Sequence, residues 1–105
     1  MYIAMNRFRV VPESADAFEE LWRTRESRLD QMPGFIEFHM LKGPAGSDHV
    51  LYASHTVWES QEAFQAWTRS DAFRASHASA GRGGPKLYLG HPEFEGFEVI
   101  QHMPG

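Results

Sequence analysis

The residue pattern predicts an α+β chain of order βαββαβ, a ferredoxin-like unit in which one antiparallel sheet carries both helices on a single face. Three observations lead there. Residues 2–11 alternate, with Tyr2, Ala4, Asn6, Phe8 and Val10 in one row, which is the period of a half-buried strand. Two later runs space their large apolar residues as a helix does, each behind a serine suited to capping. Between and after them lie runs of alternating or β-branched and aromatic residues.

The elements follow in order. Pro12 ends the first strand, and Ser14 is a good helix cap, with Asp16 suited to the positive end of the helix dipole. Phe18, Leu21, Trp22, Leu29 and Met32 then fall at helical spacing, so this helix is expected to run until the breaker pair Pro33-Gly34. Residues 35–41 read as a second strand, residues 43–48 as a turn, and residues 50–58 as a third strand. Ser60 caps a helix through about Thr68, and Ser70-Asp71 resembles a fresh cap, which predicts a short helix over 71–79 after a bend. Residues 81–92, rich in glycine and proline, read as a long loop, and residues 94–101 as the last strand.

At 105 residues the chain reads as one domain, residues 1–105, with a modest core. A sheet with helices on one face leaves its other face bare. Two such sheets packed face to face would make a dimeric α+β barrel, so a homodimer is expected.

Charge and composition narrow the partners. Ten basic and fourteen acidic residues give a net charge of −4, against the basic field that nucleic acid requires. Eight of the ten basic residues are arginine, the better geometry for carboxylates, so an anionic ligand would be met by local arginines. Without cysteine there are no disulfides, thiolate nucleophiles or cysteine-based metal centres. Arg7 and Arg9 interrupt the opening apolar run, so no signal peptide is expected, and no stretch approaches the roughly 20 apolar residues of a membrane span. The expected location is the cytosol, with no membrane partner.

Asn6 stands out because alternation puts its amide in the same row as Ala4, Phe8 and Val10, where it needs a hydrogen-bond partner. Phe64 and Trp67 share the face of the helix that should cover that row, and the indole N–H wants an acceptor. His77 follows Phe73 by four residues and shares its helical face. It is either a structural histidine or a ligand, since one neutral nitrogen aimed into a flat apolar slot is what an axial heme ligand requires. The other five histidines show no HxH or HExxH spacing that would point to zinc. Ser14, Ser60 and Ser70 read as caps and lie in no GxSxG elbow. Gly81, Gly83 and Gly84 do not sit between a strand and a helix as a phosphate loop would. Glu19 and Glu20 are read as solvated on the outer helix face.

The run Trp58-x-Ser60-x-x-Ala63-Phe64-x-x-Trp67-x-x-Ser70-x-x-Phe73-x-x-x-His77, with Met32-Pro33-Gly34-Phe35, resembles the antibiotic biosynthesis monooxygenase superfamily over about residues 2–79. Within it, the joint presence of Asn6, Trp67 and His77 is most similar to the Isd-type heme-degrading monooxygenases. The resemblance implies a heme-degrading monooxygenase in which heme is both cofactor and substrate. His77 would be the axial ligand of the heme iron. Asn6 would hydrogen-bond the bound dioxygen or steer which ring carbon is attacked, and Trp67 would press the porphyrin out of plane. Phe64 and Phe73 complete the heme-binding set. No flavin or nicotinamide motif occurs, so electrons would come from an external donor or reductase. Arg25, Arg28, Arg74 and Arg82 are the candidates for the heme propionates, and the loop over 81–92 could fold over the ring. Two alternatives stand beside this reading: a cofactor-free monooxygenase of a small aromatic or polyketide substrate, and a non-catalytic heme carrier.

Overall fold

A computed structural model gives the fold, and the residues it describes are 1–24, 28–71, 73–74 and 87–105. Four strands, β1 (Tyr2–Val10), β2 (Phe35–Ala45), β3 (Val50–Trp58) and β4 (Tyr88–Glu98), and two helices, α1 (Ala15–Thr24) and α2 (Gln61–Thr68), follow one another as βαββαβ. The sheet order is β2-β3-β1-β4, and each neighbouring pair is antiparallel. This is the expected ferredoxin-like arrangement, with both helices on one face.

Alternation decides which side chains the helices cover. On β1 the even row, Ala4, Phe8 and Val10, is buried. Its cross-strand partners Thr56, Tyr52 and Val50 on β3 share that face. Under α1 the rings of Phe8 and Phe18 lie 5.3 Å apart, and Phe18 and Tyr52 4.9 Å apart, with Trp22 and Tyr88 closing the cluster. Burying an aromatic side chain of this kind contributes about 1.5–3 kcal/mol. Under α2 the Trp58 ring is the anchor, fully buried, with Phe64 at 5.9 Å and Trp67 at 6.4 Å.

The two helix starts obey the capping expectation differently. Ser60 Oγ accepts from Ala63 N at 3.1 Å, as a cap should. Ahead of α1, residues Pro12–Ser14 form a 3-10 turn, and the α-helix begins one residue after Ser14. Gly34 supplies a backbone no other residue would: its φ is +83°, and a Cβ there would meet the Ala63 Cβ at 2.5 Å. The chain can therefore enter β2 tight against α2.

Three boundaries differ from the sequence reading. The first helical pattern does not run on to Pro33, because Arg28 adopts a left-handed φ of 56° and Leu29–Gln31 form a separate 3-10 turn. Leu29 and Met32 keep helical spacing without belonging to α1. Strand β2 runs on to Ala45, with an irregular register between Lys42 and Ala45 that takes up Gly43 and Pro44. Strand β4 begins at Tyr88, inside the stretch expected to be loop. Its register shift between Arg7 and Arg9 of β1 absorbs Gly90, His91 and Pro92, with Gly90 at φ 64°.

The helix-free face carries Leu41, Leu89 and Phe97, each more than a third exposed. His39 and His55 pair across β2 and β3 on this same face, rings 5.6 Å apart, and the buried His55 Nδ1 has no hydrogen-bond partner. Among the described residues no helix is long and apolar enough to cross a membrane.

Candidate active site

The helix face of the sheet carries two aromatic blocks, one under α1 and one under α2, and a polar step lies between them. The step is one row across the strands: Met40 on β2, Ser54 on β3, Asn6 on β1 and Phe94 on β4. Asn6 thus stands on the helix-covered face, as alternation predicts. The expected hydrogen-bond partner is missing: among the described residues no hydrogen bond engages its carboxamide. Its neighbour Ser54 is the one buried polar residue of the described chain at 7% exposure, and its hydroxyl is equally uncommitted. Asn6 is only half-buried and neither polar end is sealed from solvent, so both are accessible to a molecule arriving from outside.

The β4 side of this step is aromatic. Phe94, opposite Asn6 on β4, stacks on Phe64 of α2 at 5.5 Å with the planes 18° apart. Phe64 also meets Tyr2 at 5.6 Å. Tyr2 lies over Gly96, where any Cβ would collide with its phenol. Trp67 is buried, lies near parallel to Trp58, and meets the edge of Phe73 at 5.4 Å. Ser70 turns the chain between them. Its hydroxyl donates to Trp67 O at 2.7 Å and accepts from Phe73 N at 3.1 Å. The expected cap at Ser70 is therefore present, and it fixes Phe73 against Trp67.

Of the five sequence-predicted site residues, Phe64, Trp67 and Phe73 come together around Trp58, and Asn6 joins them through Phe94. His77 lies outside the described residues, as do Arg25 and Arg82. Of the other arginines considered for an anionic ligand, Arg74 is exposed with its Nη1 3.8 Å from Asp71, and Arg28 is exposed at the left-handed turn.

Sequence reasoning gave no site role to Phe94, Ser54 or Trp58, although Trp58 heads the run that carries the family resemblance. It also misread Glu19. Tyr52 donates its hydroxyl to Glu19 Oε2, and Lys42 Nζ is 3.4 Å from the same oxygen. The Tyr52 hydrogen bond first, and then Lys42, hold the Glu19 carboxyl below its ordinary range. Burial first, then Glu19, pushes the Tyr52 phenol up. Glu20 is solvated as expected and pairs with Arg23 on the outside. The Glu19 cluster edges a groove of 270 Å³ whose floor is Phe38 and Met40, with Trp22 stacked on Phe38 at 6.1 Å. Met40 is shared between that groove and the polar step.

The model of the family described as antibiotic biosynthesis monooxygenase matches residues 1–79. The chain belongs to this family. Among its relatives, the mycobilin-producing heme oxygenase of Mycobacterium tuberculosis strain H37Rv is 32% identical over 103 residues, 98% of this chain and 92% of that protein. A heme-degrading monooxygenase of Bacillus thuringiensis strain Al Hakam is 35% identical over 78 residues, 73% of this chain and 71% of the relative. The solved structure of the heme-degrader MhuD from Mycobacterium tuberculosis, with two hemes bound in its active site, superposes with a TM-score of 0.73. It is 27% identical, over 99% of this chain and all of that one. On the sheet of this antibiotic biosynthesis monooxygenase family member, Asn6 and Ser54 stand side by side on the helix face, with Met40 beyond Ser54 and Phe94 beyond Asn6.

Proposed function

We propose that the chain is a heme-degrading monooxygenase that takes heme between its helices over the step formed by Asn6 and Ser54. One observation carries this reading: the carboxamide of Asn6, on the helix face of β1, has no partner among the described residues and stands beside Phe94, which stacks on Phe64 of α2. A planar macrocycle needs flat apolar contacts, and a ligand on its iron needs a nearby neutral hydrogen-bonding group. The relatives named as heme oxygenase and heme-degrading monooxygenase support it.

Each residue has a role in this reading. His77, outside the described residues, would hold the heme iron. Phe64 and Phe73 hold the ring by apolar contact, and Phe73 is itself fixed by the Ser70 cap. Trp67, packed between Trp58 and Phe73, is a wall that does not yield, which is what bending a porphyrin out of plane demands. Asn6 would offer its amide as a hydrogen-bonding group toward the bound heme and would steer which ring carbon is attacked. When bound, heme supplies the oxygen chemistry and is also the molecule opened, with iron released. Electrons come from an external donor or reductase. The working unit is a single domain over residues 1–105, a cytosolic homodimer joined through the helix-free face, where Leu41, Leu89 and Phe97 stand exposed.

Hemin added to the apoprotein should shift the Soret band at one heme per chain, and an electron donor in air should then bleach it. No binding would favour the cofactor-free monooxygenase, and stable binding without bleaching the heme carrier. His77→Ala should abolish ordered iron ligation while leaving the unfolding midpoint in place.

A further inference from the structure

Two hydroxyls in one row of β3 have opposite fates. Thr56 Oγ1 donates to Ala4 O at 3.2 Å and accepts from Trp58 Nε1 at 3.0 Å, so it is spent inside the protein. Ser54, two residues earlier on the same face and more deeply buried, makes no hydrogen bond among the described residues. Serine on a strand can usually satisfy itself on nearby backbone, as Thr56 does. On its β2 side Ser54 faces Met40, which offers no useful acceptor, and on its β1 side it faces Asn6. Residues directly opposite on one face of an antiparallel pair place their Cβ atoms about 4.5–5.5 Å apart. Asn6 and Ser54 are therefore two polar groups on one floor, open in the same direction and not engaged with each other.

We infer that Ser54 is a second substrate-contacting residue of the active site, its hydroxyl meeting the small ligand carried on heme iron beside the carboxamide of Asn6. The inference rests on the heme reading and deepens it. The hydroxyl and the carboxamide each carry a donor, and two donors approaching from different points can hold a diatomic ligand in one orientation where either alone would let it swing. The contact is direct. Ser54 does not act by holding Asn6, because no hydrogen bond joins the two.

The test uses the hemin-loaded, reduced protein with carbon monoxide, whose C–O stretching band reads the hydrogen bonds offered to a ligand on iron. Ser54→Ala should shift the band, and Ser54→Thr should return it toward the wild-type position. The double variant Asn6→Ala/Ser54→Ala should differ from Asn6→Ala alone. A band unmoved by Ser54→Ala while Asn6→Ala moves it would overturn the inference and leave the heme reading standing. A double variant identical to Asn6→Ala would also overturn it, since Ser54 would then act only through Asn6. If the wild-type chain takes up no hemin, the heme reading falls and this inference with it. Thermal unfolding of Ser54→Ala is the control for folding, and its midpoint should not drop, because no hydrogen bond is lost.

Discussion

Under α1 the centre of the sheet's helix face is packed shut, with Phe8, Val10, Phe18 and Tyr52 at 0–6% exposure, and the groove over Phe38 and Met40 lies at its β2 edge. Under α2 the same face is less fully covered: Trp58 and Trp67 are buried, whereas Phe94 remains 50% exposed and the side chains of Asn6 and Ser54 make no hydrogen bond among the described residues. Both regions use aromatic rings, but for different ends. In the first, edge-to-face packing exhausts the contacts and secures the fold. In the second, rings stack in pairs, Phe64 on Phe94 and Trp67 on Trp58, and the polar ends of Asn6 and Ser54 stay free of partners among the described residues. One side of the sheet face thus holds stability, and the other carries the polar groups of the proposed site.

The sharpest way to break that contrast is to hollow the half under α1. Phe18→Ala removes a fully buried ring from four aromatic neighbours and should cost about 3–5 kcal/mol, visible as a large fall in the denaturant midpoint. A loss of only a few tenths would mean that the α1 block is not the core described above.

A moderate effect is expected at the seam between the halves. Glu19 is held below its ordinary range, so its stabilising contribution is present above the unfolded carboxylate pKa and lost as pH falls through the lower folded value. The melting temperature of the wild type should therefore fall more steeply on acidification than that of Glu19→Gln, with the two curves converging at the acid end. Parallel curves across that range would remove the Tyr52–Glu19–Lys42 cluster from the stability account.

The smallest effect on folding belongs to the half under α2. Asn6→Ala gives up no hydrogen bond, so its unfolding free energy should stay within about 0.5 kcal/mol of the wild type, while heme turnover slows or its product changes. Normal turnover with a normal product would leave Asn6 without its proposed role.

How much of this was legible beforehand depended on the kind of signal. The βαββαβ order was readable because alternation and helical spacing are local, and Ser60 and Ser70 announced their caps. Asn6 was readable as an oddity, since a polar residue in an apolar row stands out. What alternation could not say was whether the amide had a partner, because that is settled by residues distant in sequence. The start of β4 was hidden for a physical reason: Gly90 and Pro92 normally punctuate loops, and here they sit in a register shift within a strand. With that start misplaced, nothing paired Phe94 with Asn6, and the wall it makes with Phe64 went unseen. Glu19 was misread because an amphipathic helix gives its flank residues ambiguous phase, and only the position of Tyr52 beneath α1 decides the matter.

The bare face of the sheet has a consequence for how the protein would be handled at the bench. If two copies close over Leu41, Leu89 and Phe97, folding and association become linked by mass action, and the measured melting point rises with protein concentration. Dilution would then loosen both the fold and the floor that carries Asn6, so specific activity would decline on dilution ahead of any chemical damage to the site.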